Sequence, residues 1–179
     1  FNLDKLNWFS NQYIRQMDNA KLLELLKADF LPALLEPLRA QGVNIPDDQQ
    51  FIKIIALTKE RINKLFDFPP AFSFFIKLPT YESKLLVWKK GTVESTKNNL
   101  EAVRADLETI PDSDFIKTKL EAKLMQLAEA RGRGDVLWPL RAALSGSEFS
   151  PGPFEILEIL GKHESLLRLE FALAKLAEV

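Results

Sequence analysis

This chain of 179 residues carries one histidine, His163. One imidazole cannot build a multi-histidine metal site, and it leaves a single candidate base for a serine nucleophile. No serine or carboxylate stands around it at a catalytic spacing, so it reads as a surface residue opening the last helix. There is no cysteine, which excludes a disulfide framework, a thiol nucleophile and thiolate zinc sites. Gly132-Arg133-Gly134 is only superficially a phosphate loop: the third glycine, the Lys-Ser/Thr pair and the preceding strand are not there. Arg133-Gly134-Asp135 is an adhesion tripeptide by chance. Carboxylates are plentiful, but none sits in an apolar stretch that would raise its pKa for acid–base work. A small helical enzyme is thereby disfavoured, and a binding or scaffolding module is what elimination leaves.

The elements that must carry such a module are helices. Asp4 to Met17 places Leu6, Phe9 (or Tyr13) and Ile14 on one face, with Trp8 and Tyr13 expected as core anchors. Asp18 caps the next helix, in which Leu22, Leu23, Leu25 and Leu26 recur. Pro32 and Pro37 divide the Leu-rich stretch that follows. Asp47 or Asp48 caps a long helix expected over 49–66. Pro69, Pro70 and Pro79 break the chain into short pieces around Phe72, Phe74 and Phe75, which read as core packing and not as a base-stacking platform. Beyond Gly91, helices are expected over 93–109, 114–131, 136–144, 154–160 and 164–177, with Asp112 as the cap of the second. Lys117 and Glu121 pair on an exposed face. No period-2 run of useful length occurs, so the expected class is all-α.

Charge adds little. The 24 basic and 25 acidic residues nearly cancel, so no global field advertises a nucleic-acid or membrane partner. The split is uneven: residues 1–90 carry 13 basic and 10 acidic side chains, and residues 91–179 carry 11 and 15. Two subdomains, 1–90 and 91–179, are expected on that basis, the first being the better suited to a polyanion. No apolar run reaches the roughly 20 residues of a membrane span and no signal peptide opens the chain, so a cytoplasmic protein is expected. A start at Phe1 in place of Met is what a piece of something longer would show.

Two stretches are more specific. One is Phe1-Asn2-Leu3-Asp4-Lys5-Leu6-Asn7-Trp8-Phe9-Ser10-Asn11-Gln12-Tyr13-Ile14-Arg15. The other runs from Trp138-Pro139-Leu140-Arg141-Ala142-Ala143-Leu144-Ser145-Gly146-Ser147 through Ser150-Pro151-Gly152-Pro153-Phe154-Glu155 to Leu160-Gly161-Lys162. Together they resemble the C-terminal half of bacterial glutamyl-tRNA synthetases: an Asp-Lys-Leu-x-Trp start with a Tyr-Ile pair, then Pro-Leu-Arg-x-Ala-Leu-Thr-Gly, Pro-Gly-x-Phe-Glu and Leu-Gly-Lys. Ser145 stands where that family has threonine, and the Phe-rich stretch 66–78 has no counterpart in the pattern.

The resemblance implies an all-helical anticodon-binding region, two small helical cages in series, whose first helix leads to a stem-contact region. The parent enzyme would activate glutamate with ATP and Mg and transfer it to tRNA(Glu). The His-x-Gly-His and Lys-x-Ser-Lys signatures of its catalytic half do not occur here, so this chain alone should not aminoacylate and needs no cofactor of its own. By the same resemblance Arg61 reads one anticodon base, Arg141, Ser150, Pro151 and Pro153 read others, and Arg15 touches the tRNA stem. Splayed single-stranded bases are read on their Watson–Crick edges by a few fixed donors, so a near-neutral surface suffices. The expected working form is a monomer. The competing expectation is a helical protein–protein scaffold in which Arg61 is an ordinary exposed arginine, Arg141 pairs with Glu148, and Pro151-Gly152 only starts a helix.

Overall fold

A computed structural model describes residues 2–178. Nine α-helices and four short 3-10 turns account for the regular structure among the described residues, with no strand. None of these helices is long and apolar enough to cross a membrane. The chain forms two compact units, Phe1–Lys77 and Leu78–Val179.

In the first unit each helix start has a local cause. Asn2 accepts from the Asp4 and Lys5 amides at the head of α1 (Leu3–Gln16). Asp18 does the same for α2 (Asn19–Asp29). Asp47 and Gln50 close a reciprocal capping box on α4 (Asp48–Thr58), which satisfies two amides left unpaired in a first turn. Pro32 sits in the first turn of α3 (Leu31–Ala40), but Pro37 lies inside that helix and does not divide it. Ala33, whose carbonyl Pro37 leaves without its helical partner, is exposed, so water is within reach of it. The expected helix over 49–66 ends at Thr58. Its hydroxyl bonds back to the Ile54 carbonyl, Lys59–Arg61 tightens into a 3-10 turn, and Ile62 runs extended and buried. The Phe-rich stretch is core, as expected: α5 (Phe68–Ile76) buries Phe68, Phe72, Phe74 and Phe75, with Phe51 of α4 edge-on to Phe72. Each such ring contributes about 1.5–3 kcal/mol by leaving water.

The expectation for α1 is overturned. It buries only Asn11 and Ile14, while Trp8 is 58% and Tyr13 73% exposed, and Leu6 and Phe9 are also exposed. Of the apolar stripe only Ile14 is buried, and polar side chains described below add the remaining attachments of the helix.

The second unit packs α6 (Val93–Thr109), α7 (Lys117–Arg131), α8 (Arg133–Ser145) and α9 (Pro153–Ala177) around Leu100, Leu107, Leu120, Leu124, Leu140 and Leu157. Residues 78–90 belong with it, and the compositional boundary near 90 is not where the units part. Tyr81 and Leu86 are buried, Trp88 packs at a tilt against Trp138 with centroids 4.6 Å apart, and the Trp138 indole N–H donates to the Leu85 carbonyl at 2.9 Å. Asp112 does not cap α7. It opens a separate 3-10 turn, and α7 begins at Lys117. Lys117 pairs with Glu155 at 2.7 Å, not with Glu121. The break expected between 160 and 164 is present inside α9, where Gly161 takes φ 75°, a conformation side chains disfavour. Lys162 then reaches the Glu108 and Ile110 carbonyls at 2.8 and 2.7 Å, tying the kink to the end of α6.

Candidate nucleic-acid interface

In the first unit the residues converge on the 3-10 turn Lys59–Arg61. The Arg61 side chain is exposed, and no hydrogen bond or ion pair to a described residue engages it. It is not on a long helix, as the periodicity suggests, but at the end of a turn. That turn is held from α1 by three bonds to main-chain oxygens. Asn11, only 8% exposed, donates to the Ile62 carbonyl. Arg15 donates to the Glu60 carbonyl at 2.8 Å. Lys59 donates back to the Met17 carbonyl at 3.2 Å. Arg15 and Arg61 are thus brought together, with the Arg15 guanidinium bracing the turn that presents Arg61. Nearby Lys64 takes part in a capping arrangement with Asp67.

In the second unit the residues converge on the loop between α8 and α9. Arg141 sits over the Trp138 ring, its guanidinium carbon 4.7 Å from the ring centroid. It donates to the Glu148 carbonyl at 2.8 Å and to the Ser150 hydroxyl at 3.0 Å. The expected partner Glu148 is therefore met through its main chain. Ser145 is buried, and its hydroxyl donates to the Arg141 carbonyl at 2.8 Å. A threonine hydroxyl would make the same bond. Ser150 and Pro151 are buried, and Pro153 is half-buried in the first turn of α9. Gly146 ends α8 at φ 62°, and a Cβ there would come within 2.7 Å of Pro79, so only glycine fits. His163 is exposed at the start of the second half of α9, as expected.

Beneath this loop lies a group that sequence reasoning passed over. Arg168 is 2% exposed and donates to the Leu144 carbonyl at 2.6 Å and to Glu164 at 2.7 Å. Burial pulls its pKa below the ordinary arginine value, and the Glu164 carboxylate opposes that shift. The bond to Leu144 fixes the last turn of α8, from which the loop departs. Arg168 interrupts the apolar period of its helix next to Leu169, and that interruption is the signal it left in the sequence. Asn11 left none, and neither did Phe149, in the loop itself. Among the described residues no group of His, Cys, Asp and Glu could hold a metal ion.

A family model described as "Anticodon binding domain" matches residues 21–173. The chain is 34% identical over 171 residues to a glutamate–tRNA ligase of Clostridium botulinum (strain Eklund 17B), covering 93% of this chain and 33% of that protein. It is 35% identical over 180 residues to that of Clostridium tetani, covering 98% and 34%. In structure it superposes with a TM-score of 0.78 and 26% identity on a glutamate tRNA ligase from Elizabethkingia meningosepticum in complex with its amino acid, covering 98% of this chain and 33% of that one. The chain spans about a third of the length of the curated relatives it matches.

Proposed function

The chain belongs to the anticodon binding domain family, and from that premise we propose that it reads the anticodon of tRNA(Glu) within a glutamate–tRNA ligase. The observation that carries this reading is the Arg61 turn: an unengaged guanidinium displayed on a backbone gripped at three points. An immobilised turn loses little further entropy on binding, so its donors are available for recognition. On the Watson–Crick edge cytosine presents two acceptors, O2 and N3, to an arginine fork, whereas guanine presents donors. Glutamate and glutamine anticodons differ at the third base, C against G, so Arg61 is assigned to that base.

Arg141, Ser150, Pro151 and Pro153 are assigned to the other bases through the shaped loop that Arg141 and Arg168 hold. Arg15, while bracing the Arg61 turn, is exposed and placed to meet the tRNA stem. Activation of glutamate with ATP and Mg falls to the remainder of the ligase, which would work as a cytoplasmic monomer. The competing scaffold reading has no observation in its favour.

A filter-binding titration with tRNA(Glu) and a non-cognate tRNA tests the proposal. Cognate preference with a salt slope of a few phosphates is expected. Equal, weak binding of both tRNAs at low salt would refute it.

A further inference from the structure

Phe149 is 90% exposed, yet its main chain is fixed. The Ser147 hydroxyl donates to the Phe149 carbonyl at 3.1 Å and accepts from the Phe149 amide at 3.1 Å. On either side Arg141 grips the Glu148 carbonyl and the Ser150 hydroxyl. The ring therefore projects from an ordered loop with no aromatic neighbour among the described residues. A ring left in water at a fixed position forgoes the stabilisation that burial gives Phe elsewhere in the chain.

Building on the anticodon reading, we propose that Phe149 is a stacking platform for one unpaired nucleobase of the anticodon loop. Three features favour a base over a protein surface. The ring stands alone between polar Ser147, Glu148 and Ser150, whereas a protein contact calls for a contiguous apolar patch. The exposed Glu148 carboxylate beside it repels phosphate, so the loop tip offers a nucleotide its ring face and not a charge. Ser150 and Arg141, the assigned base-reading pair, lie within the same fixed loop, one and eight positions away in the sequence. Stacking on a ring is tolerant of base identity, so Phe149 adds affinity while its neighbours select.

The test uses a tRNA(Glu) anticodon stem-loop carrying 2-aminopurine at one loop position at a time, titrated with wild type, Phe149→Ala and Phe149→Trp. Wild type should quench the probe at one position. Phe149→Ala should lose that quenching and bind about 5- to 150-fold more weakly, with an unchanged salt slope because no phosphate contact is lost. Phe149→Trp should keep both affinity and quenching. Unchanged affinity and quenching in Phe149→Ala, with wild type binding normally, would overturn this inference in favour of a protein contact and leave the anticodon reading standing. Failure of wild type to bind the stem-loop at all would overturn both.

Discussion

Asn11→Ala separates presentation of Arg61 from Arg61 itself. The Asn11 amide donates to the carbonyl of buried Ile62 at a site only 8% exposed. Truncation removes the donor and strands a carbonyl away from water, at a cost of about 1–3 kcal/mol. A loss of about 2 kcal/mol is expected, roughly a 30-fold fall in the folding equilibrium of the first unit. Urea titration reads this directly. The second readout is relative affinity for two stem-loops that differ only in C or G at the third anticodon base. With one of three anchors gone, the turn loosens and the C-over-G ratio should move towards one. Arg61→Gln should also lose the ratio but keep the stability, since no described residue bonds to its side chain. If Asn11→Ala lowers stability and leaves the ratio intact, the α1 contacts do not present Arg61. If it lowers neither, the buried bond is not contributing to the fold.

Three further outcomes are expected. Arg61→Gln should remove most of a C-over-G preference on the order of 1–3 kcal/mol, read by competition between the two stem-loops. Glu164→Ala strips the paired carboxylate, itself 42% exposed, from a guanidinium that is 2% exposed and should destabilise the second unit by about 1–2 kcal/mol, measured by denaturant unfolding. Burial pushes the Tyr81 hydroxyl up to about 12, with the Arg168 charge pulling the other way. The folded pKa lies above the unfolded value of 10.0, so Tyr81 contributes stability that is full below pH 10 and is lost as pH rises towards 12, about 2–3 kcal/mol in all. Tyr81→Phe should lack this part of the alkaline slope, and the Tyr81 hydroxyl has no hydrogen-bond partner among the described residues to lose. Identical slopes in both proteins would show that the hydroxyl is not desolvated in the fold.

Helix existence was legible because local chemistry decides it: the Asp18 cap, a cap at Asp47 or Asp48 and the break between 160 and 164 each depend on a few residues, and the structure has Asp18, Asp47 and Gly161 in those places. What escaped depended on contacts distant in the chain. Nothing between residues 49 and 66 announces that Thr58 ends the helix, because Ile62 is drawn inward and its carbonyl is taken by an asparagine 51 positions earlier. The α1 stripe of Leu6, Phe9 and Tyr13 looks like a core face by periodicity, but periodicity records amphipathicity and not which face is covered. Of the assigned site residues, Arg61 and Arg141 were found through motif resemblance. The groups that hold them in place, Asn11 and Arg168, are single polar residues in apolar surroundings, visible only once burial is known.

The three bonds that seat the Arg61 turn all end on peptide oxygens: those of Ile62, Glu60 and Met17. Every amino acid carries that oxygen, so the grip is indifferent to what stands at position 61. The turn behaves as a socket into which different side chains can be fitted without renegotiating the fold. In such an arrangement one substitution at position 61 changes the side chain on display and leaves its seat intact. The seat itself can drift only where the donors Asn11, Arg15 and Lys59 are kept or replaced by others that reach the same oxygens.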